Sequence, residues 1–312
     1  MIARTEIRFY FPISSRWLNL ARHRRAVPVL MPRLVETIST PAISNGLSPF
    51  GDGAAVFPTM ITTAIHVAVA AGLGGVAGLL GGLFGVGGGF LVIPLLGFFY
   101  GMDQQTAQGT ALIMVVPNVL WAFSRYQRRF GVDLRMAATI AGFALIATYP
   151  TARLATGLDP HVLRLAFAVF LATTAGTVAY RTWRGGARVG RGRRRAWGWV
   201  TVVGVIGGVV SGFFGVGGAF IAPPLLTAFF GLRQLEAQGL ALALVAPSAL
   251  LALVAYAGAG QVDWLVGLPL ALGGIAAVSA GVAFATRLPE RRMRLAFCGL
   301  LLLTAVLLAL RG

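Results

Sequence analysis

The chain has 312 residues, of which 57% are hydrophobic and only 11% are charged. Soluble domains carry about 25% charged residues, so this composition excludes an ordinary soluble protein. The net charge of +17 would suit a nucleic-acid-binding protein. The arginines, however, lie mainly in an N-terminal arm and in loops, and no nucleic-acid-binding motif accompanies them. We therefore expect a lipid bilayer, and not nucleic acid, as a partner.

The N-terminal arm, residues 1–61, is rich in arginine and poor in acidic residues. We expect it to be disordered, or to result from a mis-assigned start, since Met60 lies just before the first apolar run. A targeting segment is the alternative. The basic charge of the arm favours the cytoplasm, whereas the loop charges described below place Thr62 outside.

Long stretches without charged residues follow the arm, for example 196–232 and 237–262. A helix that spans a bilayer needs about 20 mostly apolar residues, and its backbone groups must be satisfied within the segment. The continuity of these stretches favours helices over a β-barrel. The sequence therefore predicts an all-α polytopic membrane protein with about eight to ten spanning segments.

Two similar glycine clusters, GLFGVGGGF at 82–90 and GFFGVGGAF at 212–220, lie 130 positions apart. The same offset, without a gap, matches polar residues along the chain: Gln104 and Gln234, Gln108 and Gln238, Tyr126 and Tyr256, Asp133 and Asp263, Arg164 and Arg294. Apolar sequences do not readily match at such residues by chance. We therefore predict an internal duplication, with one membrane repeat over 62–182 and another over 198–312.

The linker between the repeats, 183–197, belongs to a stretch (181–198) that holds seven arginines and no acidic residue, so we expect it in the cytoplasm. Equivalent loops of the two repeats differ in charge. Loop 124–135 is basic, and its partner 255–263 has no arginine; loop 287–294 is basic, and its partner around Asp159 is nearly neutral. This alternation predicts that the second repeat is inverted relative to the first.

An inverted repeat must cross the membrane an odd number of times. Each repeat begins with an apolar run that the glycine cluster interrupts, and the piece after the cluster is too short to span. We predict a glycine-broken helix hairpin that enters and returns, followed by three spanning helices. These are expected at about 105–124, 136–155 and 162–181, and at about 235–255, 264–285 and 294–311. Asp133 and Asp263 are expected to cap the helices that follow them.

The glycine breaks are the candidate functional site. Glycine accepts positive φ and weakens a helix by about 1 kcal/mol per residue, so GVGGG at 85–89 should end a helix. A break inside a membrane is tolerated where protein buries it or where it lines a watery cavity. The helix that restarts presents free backbone N–H groups and a partial positive charge, which suits an anion. Close packing of small residues is the alternative.

We predict that a small anionic substrate binds between the two breaks. The candidate residues are the break glycines and three polar residues near the start of the next helices: Gly85, Gly87, Gly88, Gly89, Gly215, Gly217, Gly218, Gln108, Thr110 and Gln238. For the polar side chains, which are expected to face the cavity at the break, an interhelical hydrogen bond is the alternative.

Other chemistry finds little support in the sequence. Cys298 is the only cysteine, and the three histidines show no paired spacing, so we expect no disulfide, metal or cofactor. No nucleophile–base pair indicates an enzyme, and no Asp or Glu lies inside a predicted span to serve a proton relay. A secondary anion transporter and an anion channel remain as the main classes, with an intramembrane enzyme or scaffold third. The oligomeric state is left open.

The chain resembles the sulfite exporter TauE/SafE family of membrane permeases over about residues 62–312. The motifs that carry the resemblance are GGLFGVGGGFLVIPLL (81–96), SGFFGVGGAFIAPPLL (211–226), AQGTAL (107–112) and AQGLAL (237–242). The resemblance implies an inner-membrane transporter of sulfur-containing or organic anions such as sulfite or sulfonates, acting as an exporter. The second motif has Ala219 and Pro223 where the first has Gly89 and Ile93, which makes a two-fold binding site imperfect.

Overall fold

In the computed structural model of the protein, residues 53–183, 198–216, 218, 221–285 and 287–310 are described. Residues 1–52 of the predicted arm (1–61) and residues 184–197 of the predicted linker lie outside these residues. Residues 53–61 of that arm form the beginning of the first helix. The described residues form ten helices and no strand. The helices are α1 (Gly53–Phe84), α2 (Gly89–Tyr100), α3 (Gln104–Phe130), α4 (Leu134–Thr156), α5 (Pro160–Trp183), α6 (Gly198–Phe214), α7 (Ala222–Phe230), α8 (Gln234–Gly258), α9 (Trp264–Ala285) and α10 (Glu290–Leu310).

Six segments of the described residues are long and apolar enough to cross a membrane. They are Thr63–Phe84, Gln104–Arg129, Pro160–Tyr180, Gln234–Gly258, Trp264–Ala285 and Arg291–Leu310. This confirms the prediction of an all-α polytopic membrane protein. Helix α4, predicted as a span, is 23 residues long but is not among the six, and it carries Arg153 in its last turn. Helices α2 and α6 are apolar and shorter.

The first glycine cluster reverses the direction of the chain. Gly88 lies directly against the carbonyl oxygen of Ala77, about two turns before the end of α1. At the other end of α2, the Tyr100 hydroxyl donates a hydrogen bond to the carbonyl oxygen of His66 at 2.9 Å. Helices α1 and α2 are therefore antiparallel neighbours, as expected for the predicted hairpin.

The described residues of the second glycine cluster make a similar contact. Gly218 lies against the carbonyl oxygen of Gly207, the position equivalent to Ala77. Helix α7 begins at Ala222, with two prolines in its first turn. Proline suits this position because the first N–H groups of a helix have no partner within the helix.

The two halves pack by exchanging equivalent helices. Helix α1 of the first half packs along α9 of the second half. Helix α6, the equivalent of α1, packs in the same way along α4, the equivalent of α9. Glycines make these contacts possible, because an added Cβ would overlap backbone or side-chain atoms of the partner helix. The facing positions are 74 and 270, 78 and 274, 82 and 278 in one pair, and 204 and 140, 208 and 144, 212 and 148 in the other. This is the close packing of small residues that membrane helices favour.

The equivalent helices α3 and α8 lie side by side in opposite directions. Tyr126, near the end of α3, contacts Gln238, near the start of α8, and Tyr256, near the end of α8, contacts Gln108, near the start of α3. An antiparallel pair of equivalent helices is what an inverted repeat requires. The inverted topology stays a prediction that this packing supports, and the predicted repeat boundaries also stay predictions.

The predicted helix caps are confirmed. The Asp133 Oδ1 atom accepts backbone N–H groups two and three residues later, at 2.9 and 3.3 Å. The Asp263 Oδ1 atom does the same at 3.0 and 3.2 Å. These caps satisfy orphan donors at the starts of α4 and α9.

Inverted topology can be tested by labelling single cysteines at equivalent positions. Arg128 is exposed, and a Cβ at Gly258 would meet no atom within 4 Å, so a cysteine fits at either position. In a Cys298→Ala background, an impermeant maleimide added to intact cells should label Gly258→Cys. It should label Arg128→Cys only after the membrane is permeabilised. Labelling of both positions from the same side would contradict the inverted arrangement.

Candidate functional site

The two glycine breaks meet in the interior of the protein. Residues 85–89 and the described residues of the second break, Gly215, Val216 and Gly218, are all buried. A Cβ added at Gly89 would lie 3.7 Å from the Val216 side chain and 4.0 Å from the Gly215 carbonyl oxygen. Gly217, a predicted site residue, lies outside the described residues. The structure therefore brings the described glycines of the two breaks close together.

Left-handed backbone conformations explain why the first break is built from glycine. The φ angles of Gly85, Gly87 and Gly88 are 67°, 78° and 82°. An L-residue in this region costs about 1–2 kcal/mol. Three such residues within four positions end α1 and allow α2 to return alongside it. In the second break, Gly215 and Gly218 both have φ of 64°.

Each break packs against a glutamine of the other half. A Cβ added at Gly85 would lie 2.8 Å from the Cβ of Gln238, and one added at Gly215 would lie 3.0 Å from the Cβ of Gln108. Both glutamines are buried. The structure thus places two of the three predicted polar residues directly at the breaks, one from each half.

A tyrosine fixes the side-chain oxygen of each glutamine. The Tyr126 hydroxyl donates to Gln238 Oε1 at 2.9 Å, and the Tyr256 hydroxyl donates to Gln108 Oε1 at 2.8 Å. These crossed pairs are interhelical hydrogen bonds, which are the alternative to glutamine side chains that face a cavity. The two tyrosines were not predicted as site residues, although their match at the repeat offset was a visible signal.

The amide nitrogens of the two glutamines differ in their surroundings. Gln238 Nε2 lies 3.8 Å from the sulfur of Met293, a weak acceptor. Gln108 Nε2 is buried and has no hydrogen-bond partner. A buried donor without a partner costs about 1–3 kcal/mol. An oxygen atom of a bound ligand would satisfy this donor.

Other predicted site residues contact neighbouring helices. Thr110 Oγ1 accepts the backbone N–H of Asp263 at 2.9 Å, at the start of α9. A Cβ at Gly87 would lie 2.5 Å from a methyl group of Val119 and 3.3 Å from one of Val115. Thr110 therefore joins helices away from the break, and Gly87 and Gly88 permit close packing around it.

The helix starts at the two breaks are unequal as anion sites. Neither has a side-chain cap, the N-cap residues being Gly88 for α2 and Ile221 for α7. In the first turn of α7, Pro223 and Pro224 have no N–H group. The first three residues of α2 are Gly, Phe and Leu, and each has one, although that of Leu91 donates to the carbonyl oxygen of Gly88 at 3.3 Å. The start of α2 therefore carries the larger set of backbone donors.

Among the residues that the structure describes, every buried polar side chain is neutral. They are Gln104, Gln105, Gln108, Thr110, Asn118, Thr148, Thr174, Ser211, Thr227, Gln238, Ser248 and Thr304. The described residues contain no group of three or more side chains that could hold a metal ion. A ligand at the breaks would meet glutamine amides, tyrosine hydroxyls and backbone dipoles.

The family model described as "Sulfite exporter TauE/SafE" matches residues 69–308, a range that includes both breaks and both Tyr–Gln pairs. The chain belongs to this family. Membership, together with the helices long and apolar enough to cross a membrane, identifies this TauE/SafE protein as a multi-pass membrane transporter, as predicted.

Curated relatives of this TauE/SafE chain also bear transporter names. A probable membrane transporter protein of Xylella fastidiosa is 28% identical over 225 residues, which cover 70% of this chain and 85% of that protein. One of Bacillus subtilis is 25% identical over 216 residues, covering 68% and 88%. One of Methanocaldococcus jannaschii is 30% identical over 160 residues, covering 49% of this chain and only 59% of the archaeal protein. No solved structure matches the chain.

Proposed function

We propose that this TauE/SafE protein is a secondary transporter, acting as an exporter, of sulfur-containing or organic anions such as sulfite or sulfonates. The anion binds between the two glycine breaks, and the protein lies in the inner membrane with its 183–197 linker in the cytoplasm. The family description names sulfite export. The proposal assigns the chain no catalytic activity and no cofactor.

The observation that carries this proposal is the unpartnered amide of Gln108. Its oxygen is held by Tyr256, and its buried nitrogen remains an unused donor on a residue whose Cβ packs against Gly215. Gly215 in turn lies next to Gly89, where α2 begins with the positive end of its dipole. An anion here would receive one side-chain hydrogen bond and the favourable electrostatic potential of a helix start.

The burial of both breaks implies how transport would proceed. Because residues 85–89 are buried, an anion reaches them only after the helices around them separate. In transporters built from inverted repeats, one set of helices rocks against another around a central site. We propose that the exchanged pairs α1–α9 and α4–α6 move relative to α3 and α8, first toward one side of the membrane and then toward the other.

Proteoliposome flux separates this proposal from its alternative, an anion channel of the same architecture. Vesicles loaded with unlabelled sulfite or a sulfonate should accumulate external labelled anion by saturable counterflow. A channel would instead give anion conductance across a planar bilayer without counterflow. Absence of both for all anions tested would contradict an anion-transport function.

Anion-dependent thermal stabilisation of the purified protein should identify the substrate class. An anion that binds the folded state stabilises it by about 2.7 kcal/mol at a concentration 100 times its Kd. Among sulfur oxyanions, sulfonates and carboxylates at equal ionic strength, we expect sulfite or a sulfonate to raise the Tm most. A larger response to a simple carboxylate would shift the assignment to organic anions without sulfur.

A further inference from the structure

We propose a second anion site, separate from the breaks, that binds a phosphate group at the end of α3. Three arginines of α3 and three residues of α9 line a cavity of about 280 Å³. The lining residues are Arg125, Arg128, Arg129, Ser279, Val282 and Ala283. All three arginines are exposed, whereas the breaks are buried, so this cavity is not part of the site proposed for the transported anion.

The helix spacing places the three arginines on one side of α3. Positions 125, 128 and 129 are spaced by three and four residues and share one face of α3. One turn earlier, the Trp121 ring nitrogen donates to the Ser279 hydroxyl at 2.7 Å and ties α3 to α9. The guanidinium carbon of Arg125 lies 5.7 Å from the centre of the Trp121 ring, a distance at which a cation and an aromatic ring attract.

The cavity holds three positive charges and is lined by no acidic residue. Neighbouring like charges on a helix are destabilising. The negative end of the α3 dipole accounts for part of the cluster, since Arg128 and Arg129 lie in the last turn. It does not account for Arg125, which lies a turn earlier, or for the cavity shared with a second helix. A bound oxyanion would balance all three charges.

Comparison of the two halves shows that the fold does not require these arginines. The equivalent positions are Ala255 and Gly258 on α8 and Ala259 directly after it, and the last turn of α8 contains no arginine. The position equivalent to Ser279 is Tyr149. The basic cavity therefore belongs to one half only.

The donors in the cavity suit a phosphate group. Guanidinium groups bind phosphate oxygens through paired hydrogen bonds, and a serine hydroxyl can add another. Leu120 and Trp121 are 52% and 46% exposed on a helix that we treat as spanning the membrane, so the surface beside the cavity faces lipid. Basic cavities between helices at a membrane surface bind anionic headgroups. The phosphate can thus come from an anionic phospholipid or from free phosphate in solution.

The test uses two triple variants of the full chain that remove equal charge. One replaces the three cavity arginines by glutamine. The control replaces Arg135, which lies in the first turn of α4, and Arg291 and Arg292, which lie in the first turn of α10; all three are exposed. We expect phosphatidylglycerol in phosphatidylcholine nanodiscs to raise the Tm of the wild type and of the control. We expect its apparent affinity for the cavity variant to fall about tenfold or more, because several charge-assisted hydrogen bonds are lost.

A second arm replaces the lipid by inorganic phosphate at constant ionic strength. If phosphate stabilises the wild type but not the cavity variant, the site takes free phosphate. If phosphatidylglycerol shows this difference between the two proteins and phosphate does not, the site takes a lipid headgroup. The proposal would be overturned if both triple variants lost the same affinity for lipid and phosphate, or if the cavity variant lost none. Should the cavity triple fail to fold, Arg125→Gln against Arg135→Gln gives the same comparison with a severalfold effect. Gln108→Ala should leave the lipid response unchanged.

Discussion

Replacing Gly88 with alanine should unfold or severely destabilise the protein, whereas the same change at Gly101 should be tolerated. Both glycines have positive φ, 82° and 65°, so alanine costs about 1–2 kcal/mol at either position. At Gly101 the new Cβ meets nothing within 4 Å. At Gly88 it overlaps the carbonyl group of Ala77, which is backbone and cannot rotate away. Overpacking of this kind adds about 1–3 kcal/mol.

Thermal unfolding in detergent and the yield of monodisperse protein measure this difference. Because Gly101 also has a positive φ, the difference in stability between the two alanine variants measures the steric clash at Gly88. Equal destabilisation by the two substitutions would contradict the close approach of α1 and the break. The contacts of Gly87 with Val115 and Val119 lead us to expect the same outcome for Gly87→Val, which should lose stability and transport together. A stable Gly87→Val protein with a normal rate of transport would contradict both the packing and the anion-binding interpretations.

Replacing Gln108 with alanine should weaken anion binding by about 10- to 150-fold, which corresponds to one hydrogen bond to a charged group worth about 1.5–3 kcal/mol. The stability of the anion-free protein should change little. The variant removes a buried donor that has no partner, and the Tyr256 hydroxyl keeps the carbonyl oxygen of Phe213 at 3.3 Å as an acceptor. The anion concentration needed for half-maximal thermal stabilisation measures the effect.

Gln127→Ala is the matched control for this measurement. Gln127 lies on the same helix, but its amide oxygen accepts the N–H of Val132 at 3.1 Å and its nitrogen faces the Val132 carbonyl at 3.4 Å. Its loss should lower stability without changing anion affinity. Tyr256→Phe frees the Gln108 oxygen and should weaken binding less than Gln108→Ala. Unchanged affinity in Gln108→Ala would remove the main support for a site at the breaks.

The helix breaks could be predicted from the sequence because their cause is local. Four glycines in the five residues 85–89 cannot continue a helix, and the structure ends α1 at Phe84 and begins α2 at Gly89. The caps at Asp133 and Asp263 could be predicted for the same reason, because each carboxylate accepts N–H groups only two and three residues later in the chain. The exchange of helices between the halves depends instead on contacts between positions such as 74 and 270, which no local pattern specifies.

The candidate site was less predictable, for reasons of helix geometry and distance along the chain. Gln108 and Thr110 were expected to face the same cavity, yet residues two apart on a helix do not share a face. The structure accordingly turns Thr110 to Asp263 and Gln108 to Tyr256. The tyrosines could be matched by the repeat offset, but their partners lie 112 and 148 residues away in sequence. Only the folded chain shows these pairs.

The pairing of α1 with α9 means that, of the described helices, the one synthesised first has to remain in the membrane for a long time before its partner is made. Gly74 and Leu270, which touch in the finished protein, are separated by 270 − 74 = 196 residues. At a synthesis rate of about 5–20 residues per second, roughly 10–40 s pass between the two. During that interval the glycine-lined face of α1 must be sheltered by lipid or by the insertion machinery. Neither half can complete its own interior, so the ribosome has to finish nearly the whole chain before either half is native.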